Sequence, residues 1–224
     1  MGGDTMLGLS FTTQRKLAQL GDVPKQRIKL EGEAKAHLVE YPGPTSAFHM
    51  ELQEFLTMRF LWPSGSVLYE GGFEGGQPQG QGKVFLEDGT LWYEGEFWGG
   101  TMSGQGTLYR DDGSILYQGE FSEGLLSDGQ EYYPDGAVKY QGKFADGAYS
   151  GRGKLYYPDS QLHYEGVFYE GMFSEKGRLF TPDGKLLYQG YFHKGLYHDE
   201  GILFAANGEV LHAGEFNHGE PVVD

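Results

Sequence analysis

Leu91-Trp92-Tyr93-Glu94-Gly95-Glu96-Phe97, then Trp98-Gly99-Gly100-Thr101-Met102-Ser103, then Gly104-Gln105-Gly106-Thr107-Leu108-Tyr109 is the stretch that decides the fold. Strict alternation in the first segment predicts Leu91, Tyr93, Gly95 and Phe97 on one face of a strand, with Trp92, Glu94 and Glu96 on the other. The Gly99-Gly100 segment is a short connection. The last segment reads as a second strand, with Gly104, Gly106 and Leu108 on one face. Asp111-Asp112-Gly113 is a tight-turn signal leading onward. One β-hairpin and the turn that follows it therefore make one unit.

That unit returns along the chain. The triplet of Tyr, Gly and Phe occurs at Tyr69, Gly71 and Phe73; Tyr93, Gly95 and Phe97; Tyr117, Gly119 and Phe121; and Tyr140, Gly142 and Phe144. It continues at Tyr164, Gly166 and Phe168; Tyr188, Gly190 and Phe192; and, with His212 leading, at Gly214 and Phe216. The steps are 24, 24, 23, 24, 24 and 24 residues. Gly151 and Gly153 repeat the pair Gly104 and Gly106. A fixed period of this size predicts a stacked repeat array, whose function lies on an extended surface. The expected fold is all-β: an elongated single-layer antiparallel sheet of stacked hairpins, twisted, on the order of 60 Å long at ~4.8 Å per strand.

Glycine weakens strands unless it makes room. A single sheet has no second layer, so rings laid flat over glycines would give it a thin core of its own. The opposite face is then the candidate partner surface, and its expected contacts are Trp92, Glu94, Glu96, Trp98, Tyr109 and Glu120.

The chain has no cysteine, which excludes disulfides, thiolate nucleophiles and Cys-ligated metals. No signal peptide or apolar span is visible, and the expected location is cytoplasmic. Net charge is −15. Residues 1–30 carry Arg15, Lys16, Lys25, Arg27 and Lys29 against Asp4 and Asp22, a net of +3 that leaves −18 for the rest. An acidic sheet repels phosphate backbones and anionic membranes, so no nucleic acid is expected and a membrane is disfavoured. A basic protein would be steered toward it.

Gly80-Gln81-Gly82, Gly104-Gln105-Gly106 and Gly151-Arg152-Gly153 lack the third glycine and the helix of a dinucleotide fingerprint. No nucleophile elbow, P-loop, His-Glu-x-x-His or EF-hand loop is present, so neither an enzyme nor a cofactor is expected. His193, His198, His212 and His218 match no zinc spacing and are read as structural or solvated.

The pattern Tyr-x-Gly-x-Phe-x-x-Gly-x-x-x-Gly-x-Gly-x-Leu-Tyr, met at every position from Tyr93 to Tyr109, resembles the MORN (membrane occupation and recognition nexus) repeat. The step and the Asp-Gly turn are similar to a bacterial form that includes YwqK-like antitoxins. The resemblance implies a hairpin ribbon that serves as a protein-binding scaffold and often self-associates. An antitoxin-type partner of a basic protein is its sharpest version. The alternative is a membrane scaffold working through the basic head, Arg15 to Lys29.

Two regions are expected: an N-terminal cap with a degenerate repeat, 1–62, and the repeat sheet, 63–224. The head is read as a short helix at Thr12–Leu20 and a strand and turn at 36–43; Phe48–Leu61 fits a strand or a helix, and the strand is favoured because residues 60–65 align with a repeat ending. Because little follows the last strand to shield its edge, any homodimer is expected around Tyr188–Phe216.

Overall fold

The computed structural model describes residues 56–62, 64–74 and 77–223; the expectations for the head up to residue 55 lie outside them. The described residues form strands and no helix. The strands are β1 (Leu56–Leu61), β2 (Val67–Glu74), β3 (Gln77–Phe85), β4 (Leu91–Trp98) and β5 (Thr101–Tyr109). Next come β6 (Ile115–Ser122), β7 (Leu125–Tyr132), β8 (Val138–Ala145), β9 (Ala148–Tyr156) and β10 (Leu162–Tyr169). The last are β11 (Met172–Phe180), β12 (Leu186–His193), β13 (Leu196–Phe204), β14 (Val210–Asn217) and β15 (Glu220–Pro221). They lie in chain order in one open antiparallel sheet, as the repeat pattern requires.

Two turn types alternate along the ribbon. At the hairpin tips both central residues are left-handed, as at Gly99 (φ 57°) and Gly100 (φ 83°), the arrangement that matches strand twist in two-residue hairpins. On the other long side a five-residue turn closes by Leu86 N–H to the Thr90 carbonyl (2.8 Å) and Gly89 N–H to the Leu86 carbonyl (2.9 Å). The Asp88 carboxylate accepts the Thr90 N–H (2.9 Å), which is why Asp-Gly recurs here.

One face holds the core. Tyr93 crosses the paired glycines Gly95 and Gly106, and its hydroxyl donates to the Glu96 carbonyl (3.1 Å). Tyr69, Tyr140, Tyr164 and Tyr188 make the same bond to the carbonyl three residues on. A Cβ built at Gly106 would stand 2.3 Å from the Tyr93 hydroxyl and 2.6 Å from its ring. Each ring meets phenylalanines edge-on, as Tyr93 does Phe97 and Phe121 with centroids 5.2 Å apart in both cases. The next strand lays a further group on top: Tyr149 stacks on Tyr140 at 3.8 Å and Phe173 on Tyr164 at 3.9 Å. Each well-placed aromatic pair adds about 0.5–1.5 kcal/mol beyond burial. The single layer thus completes its core from its own side chains.

Two bulges per repeat break the strict alternation and correct two expectations. In the first, Val84 pairs with Tyr93 and Phe85 with Leu91, leaving Trp92 unpaired. The extra residue turns Trp92 onto the aromatic face, 3% exposed within the core, and Leu91 onto the other face opposite Phe85. Trp92 therefore cannot contact a partner. In the second bulge Gly104 (φ 67°) and Gly151 (φ 60°) are left-handed and have no ring over them. A Cβ at Gly104 would meet the Glu96 carboxylate, 2.6 Å away, on the other face. Glu175 (φ 51°) and Asp199 (φ 50°) adopt the same conformation in the last two full repeats.

The third repeat is one residue short, and the loss falls in this second bulge: β7 has 8 residues where β5 and β9 have 9. Elsewhere the hairpin tip ties back to the preceding repeat, as Gly124 N–H does to the Met102 carbonyl and Gly171 N–H to the Tyr149 carbonyl (3.0 Å each). The tip at Gly147, which would reach back to the short repeat, makes no such bond.

At the C-terminal end β15 folds back on β14, pairing Phe216 with Pro221 and Asn217 with Glu220. Val222 N–H reaches the Glu215 carbonyl (2.9 Å). This covers half of the final edge; Val210 and Leu211 stay exposed on the other half.

Candidate functional site

With its rings spent on the core, the ribbon presents a second, open face. Its residues fall into rows that run across the strands, because side chains at equal height in neighbouring strands pair directly. One row reads Arg59, Glu70, Lys83, Glu94, Thr107, Gln118, Gln130, Gln141, Lys154, Glu165, Arg178, Gln189, Ile202 and Ala213, each paired with the next. Beside it runs a second row: Gln81, Glu96, Gln105, Glu120, Asp128, Lys143, Arg152, Val167, Lys176, Tyr191, Glu200 and Glu215.

A third row lies toward the five-residue turns, and here aromatic and aliphatic residues pair: Phe85 with Leu91, Tyr109 with Ile115, Tyr132 with Val138, Tyr156 with Leu162, Phe180 with Leu186. Tyr132 donates to the Gln118 side chain (3.0 Å) and Arg178 lies over the Phe180 ring (5.9 Å), which places this row on the open face. Over β8–β14 the face is an open trough of about 1340 Å³.

Of the expected contact residues, Glu94, Glu96, Trp98, Tyr109 and Glu120 share this face and Trp92 does not. Glu94 pairs with Lys83 (3.1 Å). Glu96 accepts the Gln105 N–H (3.3 Å). Trp98, 73% exposed, stands at the hairpin tip of β4. Glu96, Glu120 and Asp128 have no ion-pair partner among the described residues.

Whole-chain charge conceals how this face is divided. Strands β4–β7 carry Glu94, Glu96, Glu120 and Asp128. Strands β8–β11 carry Lys143, Arg152, Lys154, Lys176 and Arg178 against Glu165 and the bulge residue Glu175. Among the described residues only Arg178 of these cations is spent on an ion pair, with Glu165 at 3.0 Å. Lys176 lies over the Tyr191 ring (4.9 Å). An acidic protein thus has a locally basic stretch on the same face as its acidic one.

The aromatic face is not wholly apolar, and among the described residues its buried charged group is Glu131. Glu131 stands where other repeats have Leu108, Leu155 or Leu179, opposite Tyr117 and Tyr140, and is 8% exposed. Lys139, the counterpart of Trp92, reaches it at 2.8 Å and the Tyr149 hydroxyl donates to it at 2.6 Å. Burial and this carboxylate push the Tyr149 phenol well above its ordinary range. The group is satisfied and closed to solvent, so it reads as structural. His193, His198 and His218 line up near the C-terminal hairpin tips with ring centroids 5.4 and 5.8 Å apart. No group of residues suited to a metal ion occurs among the described residues.

A family model described as MORN repeat matches residues 69–91, 93–115, 117–138, 140–161, 164–185 and 188–210, more than half of the chain. The chain belongs to the MORN-repeat family. Five of the six matches start on a ring-over-glycine tyrosine and the other on buried Tyr117, so the MORN signature here is the packing of the aromatic face. The open face of this MORN ribbon is where its own residues differ from repeat to repeat. The seventh phrase, led by His212, lies beyond the last match yet still forms β14, with the imidazole 3.2 Å from the Glu215 carbonyl in the place of the tyrosine hydroxyl. A comparison with curated proteins finds no match. Membership makes the chain a repeat scaffold of a largely non-catalytic family.

Proposed function

We propose that the protein is a non-catalytic scaffold that captures another protein along its open face. The observation that carries this reading is the set of unpaired carboxylates on β4–β7, Glu96, Glu120 and Asp128, flanked by the aromatic row at Tyr109 and by exposed Trp98. Such a surface combines anchors of large contact area with charges that favour a basic partner and speed its arrival. A net charge of −15 acts in the same direction at longer range. Neutralisation of a basic toxin is the sharpest form of this role.

The geometry suits an extended segment. Two strands advance the ribbon by about 9.6 Å, close to the length of three residues of extended chain. Every third residue of a segment lying along the ribbon would therefore meet an equivalent place in successive repeats. Pull-down from the native cell tests the reading. The wild-type chain should retain a basic protein at low salt, and a Glu96→Gln, Glu120→Gln, Asp128→Asn triple variant should lose it. Equal retention by both would refute the acidic face as the docking site.

A further inference from the structure

The charges on the open face are arranged so that the face complements itself. Take a two-fold axis parallel to the strands and set midway between β7 and β8. It lays β7 over β8 of a second copy, β6 over β9, β5 over β10 and β4 over β11, and it lays each row over its own counterpart. In the second row Asp128 then opposes Lys143, Glu120 opposes Arg152 and Glu96 opposes Lys176; in the first row Glu94 opposes Arg178. No like charges oppose one another in either row. By symmetry each of the four pairs occurs twice. The spacing is stringent: acids stand half, one and a half and three and a half strands to one side of the axis, and bases at the same distances on the other. At the intervening position Gln105 meets Val167.

The apolar row follows the same operator. Its aromatic residues lie on odd strands and its aliphatic ones on even strands, so an axis between adjacent strands sets Tyr132 over Val138, Tyr109 over Leu162 and Phe180 over Leu91. Large groups thus oppose smaller ones throughout. Twist does not spoil the match, because the operation carries a twisted ribbon onto one of the same hand whose strands stay parallel to those they cover. Facing sheets pack about 10 Å apart, a gap that a Lys or Arg meeting a Glu or Asp can span. Overlap of β4–β11 covers about 34 by 20 Å, or ~1,400 Å² over both copies, within the range of specific interfaces.

We propose that two copies of this chain pair through their open faces about this axis, each supplying the basic stretch that the other's acidic stretch needs. This goes beyond capture of another protein, and any partner bound there would have to displace the second copy. It also puts the contact at the middle of the ribbon, away from the half-covered edge of β14.

Sedimentation velocity on the purified full chain, with no partner present, tests it. The wild type should dimerise, and more weakly as salt rises from about 0.1 to 1 M and the screening length falls from ~10 to ~3 Å. A Glu96→Lys, Glu120→Lys, Asp128→Lys variant and a Lys143→Glu, Arg152→Glu, Lys176→Glu variant should each be monomeric, yet form a heterodimer when mixed. In a single chain Arg152→Glu should weaken the dimer and Glu120→Arg added to it should restore it, with unchanged circular dichroism throughout. A wild type that stays monomeric at high concentration would overturn the proposal. So would a dimer that survives both triple variants, as edge pairing through β14 would, or a mixture that stays monomeric.

Discussion

Gly106→Val probes the ring-over-glycine core most directly. The Tyr93 ring that a Cβ at Gly106 would strike is 0% exposed, edged by Phe97 and Phe121, with its hydroxyl tied to the Glu96 carbonyl. The ring has nowhere to retreat. The backbone at Gly106 is not left-handed, so valine brings crowding without dihedral strain. Overpacking should cost roughly 1–3 kcal/mol, and losing the tyrosine hydrogen bond about 1 more. For a chain of this size the total, roughly 2–4 kcal/mol, lowers Tm by roughly 4–16 °C. Glu96→Gln keeps an acceptor for the Gln105 N–H on the open face and should change stability by less than about 0.5 kcal/mol. A double-mutant cycle isolates the cause: in a Tyr93→Leu background Gly106→Val should cost little, because the ring is gone. Calorimetric melts of the four chains decide it. Equal shifts from Gly106→Val in both backgrounds, or a shift no larger than that of Glu96→Gln, would refute the reasoning.

Glu131→Leu, which restores the residue of neighbouring repeats, should alter stability by less than about 1 kcal/mol, whereas Lys139→Met should cost roughly 1–3 kcal/mol by leaving the buried carboxylate without its cation; urea titration of both variants gives the comparison. Burial lifts the phenols of Tyr69, Tyr93, Tyr140 and Tyr164 well above their ordinary value, and that of Tyr188 to about 12. A raised folded pKa contributes stability that is whole below pH 10 and is lost as pH climbs through the folded values. Alkaline unfolding should therefore start above pH 10, with tyrosinate absorbance appearing together with loss of the β-sheet dichroism. Glu175→Gly relieves a left-handed glutamate and should stabilise by up to about 1 kcal/mol, while Gly151→Ala should destabilise by about 1–2; thermal melts that place both changes on the same side of wild type would count against the bulge assignment.

The sheet, its strand order and its turns were legible in the sequence because each is written once per period: the Tyr-Gly-Phe phrase, the hairpin glycines and the Asp-Gly turn. Local bulges were harder to see. An alternating pattern cannot show that one extra residue sits between Leu91 and Tyr93, and that residue decides whether Trp92 meets solvent or the core. The same blind spot put Gly104 on the face of Gly106 and Leu108 when it is the left-handed corner of a bulge. Charge was misleading for another reason: the total of −15 sums over turns, edges and both faces, so the cations that register gathers on β8–β11 cancel out of it. Glu131 gave a usable signal, a carboxylate in a leucine position, and the Lys139 that answers it is recognisable once the bulge is known.

The missing residue in the third repeat bears on how the chain finds its register. Units that look alike at a 24-residue step invite a slip in which each strand docks on its neighbour's partner and still buries tyrosine over glycine. A slip that crosses β7 meets a bulge one residue shorter than those of the neighbouring repeats, so that hairpin cannot stand in for another without its bulge being rebuilt. Glu131 and Lys139 would then be parted as well, leaving a carboxylate among aromatic rings. The shortest repeat acts as a datum, and the repeats on either side are counted from it.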